Sequence, residues 1–359
     1  MGQTTSTQGL HIPPEWDLHQ STFMSWPSDW GSLNSKVQGD IARVANVISE
    51  FEPVRMLAAP EHVNQAKAVI GNSSVVIVPI PVDDLWARDT LPLFLANDKK
   101  QIVGVNYNFN GWGRKQYHKN DAKVAATVLD YLDLDGFRSE LIAECGSIET
   151  DGEGTLLMTE SSILNKNRNP GLSRNTVDKI FKEELGVEKI IWVKGVKGYD
   201  ITDSHIDSLA RFVAPGVVVV SRPFPAPADD EEAQVWIGQY NQAMSVLKNA
   251  TDAKGRRLQI IELPEPNPDK IRKLPAADIK RCKTLDLDCK NGGLTSYVNY
   301  YIVNGGVIIP EFGDKEADRM AHDIVQKAYP TRKVVSVNID YVAVGGGGIH
   351  CATHEVPMP

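Results

Sequence analysis

Apolar residues recur three and four positions apart in five well-separated stretches: SKVQGDIARVANVISEF, DAKVAATVLDYL, NTVDKIFKEEL, EEAQVWIGQYNQAMSVL and KEADRMAHDIVQKAY. Polar residues fill the gaps, so each stretch predicts an amphipathic helix with one buried face. The fourth follows PAPADDEE, where Pro-rich chain ends and Asp229 or Asp230 can cap the first turn. Between the helices lie β-rich runs bounded by Gly, Pro or Asn, namely VVIVPI, KIIWVKG, GVVVVS, NYYIVNGGVIIP and KVVSVNIDYVAV, and these predict strands. The chain is therefore α/β. IVPIPVDDLWARDTLPLFL and VVSVNIDYVAVGGGGIHCATHEV both run from a β-rich stretch through a turn into polar residues, which suggests a loose fivefold repeat closing a ring. Alternation alone favours the commoner doubly wound sheet. Neither GxGxxG after a strand nor GxxxxGK with Ser or Thr occurs, so nucleotide binding finds no support.

At 359 residues and 42% hydrophobic, the chain can bury a substantial core, in one large domain or two ordinary ones. Lys+Arg 38 against Asp+Glu 46 leaves a net charge of -8, which argues against a broad basic face for nucleic acid and suits a cationic substrate. No stretch approaches the roughly 20 apolar residues of a membrane span. The start also lacks the basic and apolar regions of a secretory signal, so a cytoplasmic protein is expected. MGQTTS fits the N-myristoylation pattern through Gly2 and Ser6, yet no polybasic second signal follows. A flexible, untethered start over residues 1–10 is the expectation. Cys145, Cys282, Cys289 and Cys351 form no CxxC pair, and reduced thiols are expected. The spacing of Cys282 and Cys289 fits no common zinc pattern, and Lys290 stands where a calcium loop would want Asp or Asn.

Cys351 follows four glycines, which let the backbone turn sharply and approach a ligand closely. His350 is its neighbour, but adjacent residues of an extended chain face opposite ways, so a base for Cys351 should come from elsewhere. YDITDSHIDSLARFV supplies His205 and Asp207, two apart in a stretch that reads as extended chain entering a strand, with both side chains on one face. DDLWARDTLPLFL supplies Asp83, Asp84, Arg88 and Asp89 around Trp86; a carboxylate beside an aromatic can hold a planar cation. ECGSIETDGEGTLLMTE adds Glu144, Glu149, Asp151 and Glu153, while NGWG adds Trp112 and SYVNYYIVNGG adds Asn299. Each motif has a plain reading: a lone Cys as a small buried hydrophobe, HxD or acidic loops as solvated surface, Asn299 as structural. Together, a cysteine, a histidine and several carboxylates without a metal set describe nucleophilic attack on a carbon already carrying positive charge, such as that of a guanidinium.

WARD, NGWG, the GSI-x-x-DGEGTLL run with Glu144 ahead of it, NKNRNPG, DSHID, SYVNYYIVNGGVIIPEFGD and GGIHC occur in this order. This series resembles the agmatine deiminase and bacterial-type peptidylarginine deiminase family, from PEWDLHQSTFMSWP to the last residues. The resemblance implies the pentein fold, a five-bladed α/β propeller of ββαβ modules, as a single domain over residues 11–359. It also implies that Cys351 is the nucleophile, that His205 is the general acid/base, and that Asp89 and Asp207 grip the guanidinium nitrogens. Glu144 matches a further acid, Trp86 and Trp112 match substrate-facing aromatics, and Asn299 matches a residue of the site wall. The implied substrate is agmatine or a related small arginine derivative, hydrolysed without metal or organic cofactor through a covalent thiouronium-like intermediate. Peptidyl or cyclic-peptide arginine as substrate, amidino transfer and a catalytically silent binding protein are the alternatives, and a homodimer is left open. Gly348 stands where many agmatine deiminases have Asn in GGGNIHC; Cys145, Ser204 and Leu91 replace glycines of the pattern. These departures bear on the pocket beyond the guanidinium.

Overall fold

The computed structural model describes residues 9–97, 99–282, 284–285, 287, 289 and 293–358. Four units of the same design follow one another along the chain. In the first, Leu93–Asn97 and Ile102–Asn106 pair antiparallel, the helix Asp121–Leu132 crosses over, and Gly136–Arg138 returns parallel to the second strand. The second uses Glu149–Thr150, Thr155–Thr159, the helix Arg174–Leu185 and Lys189–Val193. The third uses Ala210–Ala214, Val217–Arg222, the helix Glu231–Leu247 and Gln259–Pro264. The fourth uses Tyr301–Val303, Gly306–Glu311, the helix Lys315–Ala328 and Lys333–Asn338.

Local chemistry explains this ββαβ order. Antiparallel neighbours need only a tight turn, supplied by Asn304–Gly305 and Pro215–Gly216 with both glycines at positive φ. A parallel partner needs a crossover, which the amphipathic helix provides while covering the sheet. The helix starts follow their caps: Ser173, Asp230 and Asp314 each accept backbone N–H groups of the first turn. In the first unit, Leu129 sits over the paired glycines Gly104 and Gly136, where an added Cβ would displace it. Fully burying such a leucine contributes on the order of 2 kcal/mol.

The fifth unit joins the chain ends. Thr353–Pro357 pairs antiparallel with His19–Ser25, the helix Asn34–Ile48 crosses over, and Val54–Leu57 lies parallel, followed by the helix Val63–Ile70 and Val75–Val78. With the last strand seated on one of the first, the series closes, and the architecture is the five-module α/β pentein rather than the doubly wound sheet that alternation favours. The segment before each unit's first strand carries candidate residues: Asp89, then Glu144, then His205 and Asp207, then Asn299, then Cys351.

Several expectations are corrected. KVVSVNIDYVAV is a strand only over Lys333–Asn338; Asp40 accepts the N–H groups of Tyr341 and Val342 and starts a short helix, Asp340–Ala343. The helices Val63–Ile70 and Ala276–Cys282 were not expected from the pattern. Cys282 and Cys289 are not reduced thiols but a disulfide: the helix ends at Cys282, and the turn after it brings the two Cα atoms to 5.9 Å. Leu10–His11 forms a short strand on Leu93–Asn97, so the boundary set after residue 10 falls within ordered chain. Residues 1–8, with Gly2 and Ser6, lie outside the described residues. Among the described residues no helix is long and apolar enough to cross a membrane.

Candidate active site

Gly345 to Gly348 lay bare backbone against aromatic and amide side chains. A Cβ at Gly345 would overlap Trp30, one at Gly347 would overlap Trp86, and one at Gly348 would come within 2.5 Å of Asn299 Oδ1. The run therefore packs against Trp30 and Trp86 on its way to Cys351, which is part-exposed in the turn at 349–352. Asn299 holds this turn from two sides: its Oδ1 accepts the Cys351 N–H at 3.3 Å and its Nδ2 donates to Sγ at 3.2 Å. Asp207 Oδ2 lies 3.5 Å from the same sulfur. Burial, then the negative charges of Asp207 and Asp89, push the thiol well above its usual pKa.

His205 and Asp207 are not in the extended stretch their spacing suggested. Asp203 and Ser204 both take positive φ, Asp200 accepts the N–H groups of Thr202 and Ser204, and Ile206–Ser208 forms a 3-10 turn. The two side chains nevertheless converge around Gly146, whose missing Cβ would lie 2.7 Å from His205 Nδ1, 2.9 Å from Asp89 Oδ1 and 3.1 Å from Asp207 Oδ2. His205 Nε2 contacts Glu144 Oε2 at 3.2 Å and its Nδ1 lies 3.7 Å from Asp89 Oδ1. Burial alone would lower the His205 pKa, but Asp89 and Glu144 reverse this and raise it to about 9. Behind Glu144, fully buried Arg168 donates to Glu144 Oε1 at 2.8 Å and to Asp203 Oδ2 at 2.9 Å. Burial opposes the Glu144 charge, yet His205 and Arg168 hold its carboxyl below the ordinary value.

The two carboxylates nearest the thiol are held differently. Asp89 Oδ2 accepts Trp112 Nε1–H at 2.8 Å and its Oδ1 accepts the Gly146 N–H at 3.1 Å. Burial raises its carboxyl, with His205 pulling the other way and Glu144 and Asp207 adding to the rise. Asp207 is lowered instead: burial is overcome by His350, whose Nδ1 lies 2.8 Å from Asp207 Oδ2, and by His205 and Arg211. Asp207 Oδ1 is buried and has no hydrogen-bond partner. An ionised oxygen left unsatisfied in a buried site invites a cationic N–H donor.

Residues 11–357 match the Porphyromonas-type peptidyl-arginine deiminase family. The chain belongs to that family. An agmatine deiminase of Stutzerimonas stutzeri (strain A1501) is 37% identical, over 99% of this chain and 98% of the relative. One from Pseudomonas aeruginosa (strain LESB58) is 36% identical, over 100% and 99%. Among solved structures, an agmatine deiminase of Enterococcus faecalis described as catalyzing its reaction superposes with a TM-score of 0.87 at 29% identity, over 100% of this chain and 98% of that one.

In this family member, the candidates drawn from the motif series fall in or beside one cluster, with unequal contacts. Cys351, His205, Asp89, Asp207, Glu144 and Asn299 meet as described; Trp112 reaches Asp89, and Trp86 lies against the glycine run and 6.3 Å from Trp30. Gly348 leaves Asn299 its room. Other acids fall elsewhere: Glu149 pairs with buried Arg211, Asp151 accepts N–H groups of its own loop, and Glu153 pairs with Arg256 at the surface. Arg88 is no solvated turn residue but is buried against Glu355 and Glu15. Sequence reading missed Glu15, Arg168 and Arg211. A fully buried arginine needs an acid partner, but nothing local in the chain names which one.

Proposed function

We propose that the protein is a guanidine deiminase that hydrolyses agmatine to N-carbamoylputrescine and ammonia. The observation that carries this reading is Asp207 Oδ1, a buried and unpartnered carboxylate oxygen within the group that faces the Cys351 thiol. Asp89 supplies a second carboxylate beside the thiol, and a planar cation can be held between the two.

In this reading the substrate's guanidinium settles between Asp89 and Asp207, and its charge offsets the two carboxylates that keep the thiol protonated. Cys351 gives its proton to solvent and Sγ bonds to the guanidinium carbon. His205, an imidazolium at neutral pH because its pKa is raised to about 9, gives a proton to the departing nitrogen. The C–N bond breaks, ammonia leaves, and a thiouronium remains on Cys351. Neutral His205 then takes a proton from water; the hydroxide adds to the same carbon, the C–S bond breaks, and the ureido product and thiol are released. Glu144 and Arg168 act on this sequence through His205.

The names of the relatives support agmatine over longer substrates. The test is ammonia and ureido formation by wild type and Cys351→Ala with agmatine, free arginine and an arginine-containing peptide. Turnover of agmatine that vanishes in the variant is expected. Preference for the peptide would move the reading to peptidyl-arginine deimination, and amidino transfer to an added amine would replace hydrolysis. We further place the protein in the cytoplasm, where a small cationic metabolite is met. The Cys282–Cys289 disulfide weighs against this, because cytosolic thiols are kept reduced; alkylation of both thiols in intact cells would support it.

A further inference from the structure

The His205 side of the site is backed by an arginine, whereas the Asp207 side is backed by a histidine and a glutamate from the far end of the chain. Glu15 sits in the loop after the strand Leu10–His11 and points inward. Its Oε2 lies 2.8 Å from His350 Nε2 and 2.7 Å from an Arg211 nitrogen, and its Oε1 accepts the Ile302 N–H at 2.9 Å. Arg88 approaches the same Oε2 at 3.4 Å. Burial works against a charge on Glu15, but Arg211, His350 and Arg88 hold its carboxyl well below the usual range.

Asp207 is lowered as well, so both partners of His350 are ionised acceptors. The imidazole is clamped between two fixed carboxylates 192 residues apart, from position 15 to position 207. The clamp occupies Asp207 Oδ2 from one side. It leaves Oδ1 bare and keeps Oδ2 within 3.5 Å of the thiol. Rotation of the Asp207 carboxyl would exchange those two roles.

We propose that Glu15 is a positioning residue of the reaction: through His350 it fixes the rotation of the Asp207 carboxylate, so that one oxygen stays open to the substrate cation while the other faces Cys351. This rests on the deiminase reading above for the identity of the cation. Glu15 itself touches neither substrate nor thiol. The N-terminal segment is thereby part of the reactive apparatus, delivered to the centre because its following strand, His19–Ser25, pairs with the strand after Cys351.

The test compares Glu15→Ala, Glu15→Gln, His350→Gln and the Glu15→Ala/His350→Gln double variant. For each, the rate of Cys351 labelling is measured with 2-chloroacetamidine, a cationic amidine, and with neutral iodoacetamide, alongside agmatine turnover per labelled thiol. A carboxylate out of rotation should cost about 100-fold in amidine labelling for Glu15→Ala, with a much smaller change towards iodoacetamide. Glu15→Gln should lie between, because its amide keeps a hydrogen-bonding group facing His350 Nε2 while removing the charge. The double variant should be no slower than His350→Gln alone. Equal losses towards both reagents, losses that multiply in the double variant, or a lower melting temperature with unchanged rates per thiol would each overturn the proposal. Should Glu15→Ala not fold, Glu15→Gln alone and combined with His350→Gln give the same comparison. If wild type left agmatine untouched, the deiminase reading would fail while the ratio of labelling rates still decided the role of Glu15.

Discussion

Two buried supports stand behind the site, and they are built on different principles. Glu144, Arg168, Asp203 and His205 come from one stretch of chain between positions 144 and 205, and charge balance holds them: one guanidinium joins two carboxylates, and one of these steadies the imidazole. Glu15, His350 and Asp207 come from the start, the end and the middle, and they meet only because the ring closes. The first support, together with Asp89, sets a proton affinity, raising His205 to about 9. The second sets an orientation, leaving Asp207 Oδ1 bare beside a thiol. One apparatus for acid chemistry and another for gripping a cation can thus be altered separately.

The largest expected effect breaks the first support. Arg168→Met leaves Glu144 and Asp203 buried without their shared cation and should cost about 3–5 kcal/mol of stability, read by urea denaturation; a loss below about 1 kcal/mol would mean the pair is solvated in solution. Next comes its pH signature. Because the His205 pKa is raised in the fold, its contribution is fully present below the unfolded value of about 6.5 and is lost as pH rises through about 9. Denaturation midpoints between pH 6.5 and 9.5 should therefore fall more steeply for wild type than for His205→Gln, by roughly 3 kcal/mol in stability. On the proposed mechanism, activity should also decline above pH 9, as the imidazolium that would protonate the departing nitrogen is lost.

Gly146→Ala sharpens the comparison by disturbing both supports at once. The new methyl would press on His205, Asp89 and Asp207 together, and kcat should fall about 100-fold with the melting temperature changed by only a few degrees. Retained kcat would show that the three side chains can part without consequence. The smallest effect belongs to Gly348→Ala, whose Cβ would meet Asn299 Oδ1 at 2.5 Å and loosen the hold of Asn299 on the Cys351 turn. A decrease of about tenfold in kcat/KM is expected. A larger change with agmatine than with a peptide substrate would mark Gly348 as a determinant of specificity.

The two supports also differ in how far they could be read beforehand. All five long helices and the alternation of strands follow from periodicity, because local spacing decides which face can be buried. The ordered motifs named the side chains that converge around Cys351, because the thiol, imidazole and carboxylates each lie in short, distinctive stretches. Spacing misled where backbone reversals intervened: Asp203 and Ser204 turn the chain ahead of His205, and Asp340 begins a helix where a strand was expected. Glu15 was not singled out, since PEWD served only to mark where the resemblance begins.

The sequence by itself determined the α/β alternation, the glycine-bared approach to Cys351 and the chemical inventory of the site, because propensity, periodicity and residue type act over a few positions. Only the tertiary structure decided that the strands form five closed units, that Cys282 meets Cys289, and that Glu15 and Arg211 stand behind Asp207. Those outcomes depend on which distant groups share a low-dielectric interior. There a charge is stable only beside its counter-charge, and the closing of the ring selects which one that is.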